Sequence, residues 1–465
     1  MTGPHPRHAC VLLVAVILAL AGGGSPSAAL GQSCLCGTAA DDLVAARLGL
    51  EREWVVQVPF DSAAWRLEHV VVGDSLVVAQ GGDGSVAAIS TTSAPGNPRR
   101  GTVAWAHHLG TGTAPIEAAG IGPGLVTVAR GRELVALDAA TGEVCWERPL
   151  RAVASAAAVP SAGWVYAPLD PAGIQRFPDD PLAKPAAPAE ADADGKPATT
   201  PAEPAEGPRP GESLAPIDIS SDGEVDSPPL AFRGGIVWCS ADGRMAALVQ
   251  TTNASDRLEF DLGGPAAGPL VVHDNDIFVA TKAGDIARIT RSPRGLTANS
   301  GVMTVQGADE KPVTVNYTGW HTVIDEIPEG SPVVGGDTVV VSLGPAGVAA
   351  FDAATGGLLW QEPALGRPVA ITGDQVWCLE ATGFLVARDL ATGARLGRLC
   401  LGCFTIPIVN TTSERLVLAS PGGLVVSLAP RRTVAAEPPV PQPPAPQPSV
   451  PAEGADADAD AAEDL

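Results

Sequence analysis

A twelve-residue phrase that returns along this chain narrows its fold more than any other feature. It reads VALDAATGEVCW at 135–146 and AAFDAATGGLLW at 349–360, and a decayed copy, VARDLATGARLG, stands at 386–397. Each copy runs from an apolar stretch through an Asp and a Thr-Gly pair into a second apolar stretch. The first two copies end on Trp. A unit this short cannot bury its apolar face alone, so successive copies must stack on one another.

The surrounding sequence extends the pattern. VVVGDSLVVAQGGDGSVAAIS at 70–90 is three apolar runs separated by Gly-Asp turns, and the same grammar recurs at 268–290, 331–352 and 366–389. Three short strands followed by the DAATG turn and a fourth strand make one antiparallel blade of a β-propeller. The spacing agrees: Trp105 to Trp146 is 41 residues, Trp320 to Trp360 is 40, and Asp352 to Asp389 is 37. Blades of this kind repeat about every 40–50 residues. Divided at these phrases, residues 51–430 give eight units, beginning near 66, 112, 151, 225, 266, 329, 366 and 404, with seven as the alternative because the third is least distinct. The expected fold is all-β, a propeller of four-stranded antiparallel blades.

Two orphan segments predict how the ring closes. The last unit, LVLASPGGLVVSLAP at 416–430, lacks a fourth strand, and EREWVVQVPF at 51–60 is a lone strand with no partner. Pairing them completes the final blade and removes the edges an open array would expose. Two stretches stay outside this core. Residues 178–215 are nearly free of large apolar side chains and are expected to be a disordered insertion in the third blade, and 431–465 a Pro-rich, acidic, disordered tail. An insertion at 290–325 enlarges one sector of a rim and places Tyr317, Trp320 and His321 together, an aromatic group that suits a protein interface. Its Trp320 is first of all that blade's docking Trp, because its distance to Trp360 is right for one. His321 is expected at the surface or in a loop.

The repeated polar residues have a structural task. Asp binds backbone N–H groups in a tight turn, and Gly accepts the positive φ such turns demand. Trp covers the joint between neighbouring units with a large apolar area. Asp138, Thr141, Gly142 and Trp146, then Asp352, Thr355, Gly356 and Trp360, then Asp389, Thr392 and Gly393 are therefore read as repeat-building residues, without a catalytic role.

These phrases, of the form A-x-D-x-x-T-G-x-x-x-W, resemble the repeats of the pyrroloquinoline-quinone (PQQ) type, quinoprotein alcohol dehydrogenase-like β-propeller family. Residues 136–146 and 350–360 match well and 387–397 in part, while the general blade grammar covers most of 51–430. The family includes quinone dehydrogenases and propellers that bind no quinone. The resemblance implies, for the dehydrogenases, an adjacent cysteine pair beside the cofactor, a calcium ion and an Asp base. No Cys-Cys pair exists in this chain, and CLGCF at 400–404 has Phe404 where covalent haem attachment requires His. No cofactor is expected. Within the family the chain resembles in character the propeller scaffold of the outer-membrane barrel-assembly machinery. A quinone-dependent oxidoreductase with its cofactor in the central channel is the alternative.

Charge and cysteines bound the setting. The formal net charge of −23 argues against nucleic acid, which needs clustered Lys and Arg. Arg7, the apolar run CVLLVAVILAL at 10–20 and the small residues that follow have the proportions of a cleaved export signal, expected to span 1–31 and to precede an N-terminal segment at 32–50. A retained anchor and a lipid on Cys34 stay open as the only membrane attachments. Cys145, Cys239 and Cys378 lie in apolar strands and read as small buried hydrophobes. Cys34, Cys36, Cys400 and Cys403 lie outside strand interiors; oxidising export favours disulfides among them, and a four-sulfur zinc site is the alternative. His107 and His108 are adjacent on a strand, so their side chains face opposite sides and cannot share a ligand. DADAD at 456–460 imitates the start of a calcium loop but lacks its turn Gly and its twelfth position. No residue pattern names an active site. The expectation is an exported, monomeric, non-catalytic propeller, in the periplasm or envelope or outside the cell, that binds protein partners there.

Overall fold

The computed structural model describes residues 42–92, 99–110, 114–179, 216–232, 234–250, 255–292, 294–306, 312–363, 366–406 and 408–431. All of them belong to the unit Cys36–Leu465. They form eight antiparallel sheets arranged as the blades of a propeller. Blade 1 spans residues 67–108, blade 2 120–149, blade 3 159–219, blade 4 230–261, blade 5 271–323, blade 6 329–362 and blade 7 367–400, each with its four main strands in sequence order. Blade 8 is assembled from both ends of this unit. Leu416–Ala419 and Leu424–Pro430 pair with each other, and Leu50–Gln57 adds as the outer strand. Its register runs from Leu50 opposite Pro430 to Gln57 opposite Leu424. The expected closure by the 51–60 segment is what the structure has.

The second and third strands are buried on both faces because each blade is covered by two neighbours. Leu76–Gly81, Ser85–Ser90, Gly235–Cys239 and Thr338–Ser342 are buried at every residue. That is why they read as continuous Val-, Ile- and Ala-rich runs rather than as alternating strands. Among the described residues the buried apolar side chains fall into eight clusters, each shared by two consecutive blades. The core is thus a ring of eight slabs with no single centre. The cluster between blades 8 and 1, with Trp54, Val56, Val77 and Ile89, is built like the rest.

The 290–325 insertion lies in the connection from the third to the fourth strand of blade 5. The third strand, Asp285–Ser292, turns back on Gly295–Thr297, a hairpin of Gly301–Gln306 and Pro312–Tyr317 follows, and Trp320–Val323 returns to pair with Asp285–Arg288. The 178–215 stretch lies, apart from Pro178 and Asp179, outside the described residues, as do 1–41 and 432–465. Before the closing strand stands a short helix, Asp42–Arg47. It leads into Leu48, which fills a vacancy in blade 7. Where blades 2 and 6 carry Trp146 and Trp360, eight residues after the repeat Asp, blade 7 has Gly397. A Cβ on Gly397 would lie 2.6 Å from Leu48 Cδ2.

Candidate functional site

The residues that recur in the sequence are spent on the fold's own joints. Asp138 Oδ1 accepts from the backbone N–H of Ala140 and Thr141 at 2.9 and 2.8 Å and from the Thr141 hydroxyl at 3.0 Å. Asp352 accepts from Ala354 N–H and from Thr355 N–H and hydroxyl, and Asp389 from Thr392 N–H and hydroxyl. Bonds from the Thr hydroxyl and N–H favour the ionised carboxylate and hold Asp352 and Asp389 below the ordinary Asp range. The glycine that follows takes positive φ, +74° at Gly142, and returns its N–H to the Asp138 carbonyl at 2.8 Å.

Each such turn receives the tryptophan of the blade before it. Trp105 donates its indole N–H to Ala139 at 2.9 Å, Trp320 to Ala353 at 2.8 Å and Trp360 to Leu390 at 2.8 Å. Trp146 reaches the Asp179 carbonyl of blade 3 at 2.8 Å. The rings lie against the turn glycines, so that a Cβ added to Gly142, Gly356 or Gly393 would stand 2.5, 2.5 or 2.7 Å from a ring carbon. Trp320 therefore docks blade 5 onto blade 6. His321 beside it is exposed, on a strand rather than in a loop, with Nε2 2.9 Å from Asp285 Oδ1. Tyr317 stands at the end of the inserted hairpin, opposite Gly301.

The cysteines divide differently from expectation at one position. Cys239 and Cys378 are buried, and burial pushes both thiols up to about 12. Cys145 is exposed. It sits on the outermost strand of blade 2, where side chains alternate between the joint and solvent; Trp146 takes the joint, so Cys145 faces out. Cys400 is disulfide-bonded, and a bridged sulfur is not a thiolate ligand for zinc. Cys403 is half-buried against the cluster of blades 7 and 8, while Cys34 and Cys36 lie outside the described residues.

Two features were not legible from the repeats. The first is a charge clasp at the closure. Glu53 of the closing strand binds Arg100 of blade 1 at 2.8 Å and Arg415 of blade 8 at 2.7 Å, and its side chain is only 12% exposed. The partners lie 47 and 362 residues away, so no local pattern announces the group.

The second is a cavity of about 480 Å³ between blades 7 and 8. It exists because blade 8 lacks a regular innermost strand. Among the described residues of 401–406 and 408–410, one bridge, Ile406 with Ala419, joins this segment to Leu416–Ala419. The walls are apolar, among them Val369, Leu385, Leu401, Phe404 and Leu416, and Glu329, Arg367 and Glu380 stand at the cavity as its charged members. Irregular sequence between the two blades, with no period to read, is the only signal that could have pointed to it.

The family described as outer membrane protein assembly factor BamB matches residues 82–173, 208–364 and 323–398. This chain belongs to that family. None of the curated proteins matches it. Among solved structures, the crystal structure of BamB from Moraxella catarrhalis is similar at 18% identity and a TM-score of 0.55, over 82% of this chain and 97% of that one. A computationally designed protein, Ika8, is similar at 11% identity and a TM-score of 0.47, over 78% and 96%. The quinohemoprotein alcohol dehydrogenase ADHIIG from Pseudomonas putida HK5 is similar at 12% and 0.45, over 86% and 79%. At 18% identity the likeness to that BamB structure shows a shared fold and no more. The described acidic, His and Cys side chains offer no donor cluster for the quinone-and-calcium site that the PQQ-type resemblance raised. Among the described residues no three His, Cys, Asp or Glu stand where they could hold a metal together, and the chain has no adjacent cysteine pair.

Proposed function

We propose that this BamB-family propeller is an exported, non-catalytic scaffold that binds protein partners in the cell envelope, and that it works as a monomer. The observation that carries this is the use of the repeated polar side chains. The Asp carboxylates accept bonds inside their own turns, and the Trp indoles bridge to the next blade. The side chains that looked most chemical in the sequence are thereby committed to holding loops in place, and loops fixed on a rigid scaffold are where binding concentrates. Membership in a family of assembly factors supports the same reading. A disulfide at Cys400 suits an oxidising compartment outside the cytosol.

The reading predicts that crosslinking of the native envelope, followed by capture of this chain, yields a defined protein partner in stoichiometric amount. Recovery of the chain alone under several crosslinker lengths would sink it. A second measurement separates it from an oxidoreductase. The purified protein is mixed with PQQ and calcium, and its absorption spectrum and dye-linked alcohol oxidation are recorded. An unchanged spectrum and no turnover are expected; saturable binding with turnover would replace the scaffold by an enzyme.

A further inference from the structure

The cavity between blades 7 and 8 is a binding site in its own right, and we infer that it takes an extended peptide segment that inserts an apolar side chain next to a basic residue. The inference rests on the scaffold reading and gives its partner a chemistry.

The size and lining come first. A cavity of about 480 Å³ falls within the range of sites that hold small ligands or one or two large side chains. Its deep walls come from two blades and from the segment that joins them: Val369 and Leu385 from blade 7, Leu401 and Phe404 from the connection, Leu416 from blade 8. No polar group among these competes for water, so an apolar occupant gains the burial of its own surface.

The charges at the cavity then choose between occupants. Glu329, Arg367 and Glu380 come from three different elements: the first strand of blade 6, the first strand of blade 7 and the turn after the second strand of blade 7. Among the described residues none of the three has an ion-pair partner. The Glu380 carboxylate accepts a bond from the Thr382 hydroxyl. Elsewhere in the propeller Glu53 is paired with two arginines and Asp276 with Arg288. Here two carboxylate residues and one guanidinium line the same cavity, in a chain whose net charge is −23. An anionic amphiphile such as a fatty acid would bring a third negative charge to this mouth. A peptide with Lys or Arg beside its apolar residue would answer the excess, and complementary charge is what orients and selects a partner.

The test uses defined probes. Fluorescein-labelled Lys-Leu-Phe-Lys-Leu, Glu-Leu-Phe-Glu-Leu and Lys-Ser-Gly-Lys-Ser are titrated with the full chain and followed by anisotropy, and sodium dodecanoate is added as a competitor. The first peptide is expected to bind, the other two to bind at least about tenfold more weakly, and dodecanoate to compete poorly. The double variant E329Q/E380Q should weaken the first peptide about tenfold, and Thr405→Trp, placed on the exposed part of the lining, should abolish its binding. Glu329 and Thr405 are exposed and Glu380 is half-buried, and circular dichroism checks that the variants stay folded. Equal binding of all three peptides, unchanged affinity in both variants, or displacement by dodecanoate at lower concentration than by unlabelled peptide would each overturn the inference. Failure here is distinguishable from failure of the scaffold. If both variants still capture the envelope partner in full, the scaffold stands and this site is not where it binds.

Discussion

Replacing single turn glycines offers a controlled measure of what the blade joints are worth. Gly142 and Gly124 share the same backbone angle, φ +74°. A Cβ at Gly124 meets nothing within 4 Å, whereas one at Gly142 would lie 2.5–2.7 Å from three ring atoms of Trp105. Alanine at Gly124 therefore carries only the cost of a left-handed residue, about 1–2 kcal/mol. Alanine at Gly142 carries that cost and must also move the indole. Forcing a buried ring aside costs about 1–3 kcal/mol, and the shift strains the bond to Ala139, worth about 1 kcal/mol. The expected destabilisation is about 3–6 kcal/mol for Gly142→Ala against about 1–2 for Gly124→Ala. Gly356→Ala and Gly393→Ala should behave like Gly142→Ala, because a Cβ at these positions meets the rings of Trp320 and Trp360 in the same way. Guanidinium chloride unfolding, monitored by tryptophan fluorescence and by circular dichroism, supplies the comparison. Equal midpoints for Gly124→Ala and Gly142→Ala would refute the claim that the ring–glycine contact holds the blades together.

Other perturbations address the remaining joints. Glu53→Gln leaves Arg100 and Arg415 without their carboxylate and should cost about 1–3 kcal/mol, less than a fully buried pair because both arginines are partly exposed; a loss that does not shrink as salt is raised would contradict the electrostatic origin. Leu48→Ala should cost about 2–3 kcal/mol by opening the space beside Gly397, and heat-induced unfolding of the variant checks it. The lowered Asp352 and Asp389 give an acid-side dependence. Their stabilising contribution is complete above the unfolded Asp value of about 4 and is lost as pH falls through the folded values, so Asp352→Asn should flatten the stability profile below pH 4. Cys239 and Cys378, raised to about 12 by burial, should take up a thiol reagent at pH 8 only after denaturation; rapid labelling of either in the native protein would contradict their burial.

The blade count, the strand order and the closing strand could be read from the chain because each rests on a pattern with a period. DAATG marks a turn whose Asp and Gly are chemically necessary, and a lone strand at 51–60 can be matched only to the unit that lacks one. What escaped reading depends on positions that repeats do not set. Leu48 substitutes for a tryptophan from outside blade 7, and the only hint is the Gly at 397 where Trp stands in two other copies. Cys145 was misjudged because VCW looks like a buried run, although an outermost strand buries only every second residue. The cavity and the Glu53 clasp join residues from separate blades, and no window of the sequence contains both sides. Disulfide pairing stays a matter of three-dimensional proximity, since four cysteines allow three connectivities.

The closing strand also sets a rule for the order of assembly. Leu50–Gln57 is synthesised before any blade, yet its partner Leu424–Pro430 is among the last parts of the ring to be made. Contacts that span nearly the whole polypeptide form slowly, because the intervening chain must first be compacted. During that interval the nascent protein is an unclosed arc with a bare edge at each end, open to pairing with other chains. Ribosome-stalled or C-terminally shortened forms should thus be the dangerous ones, while the finished ring, having no free edge at that joint, is protected from the same fate.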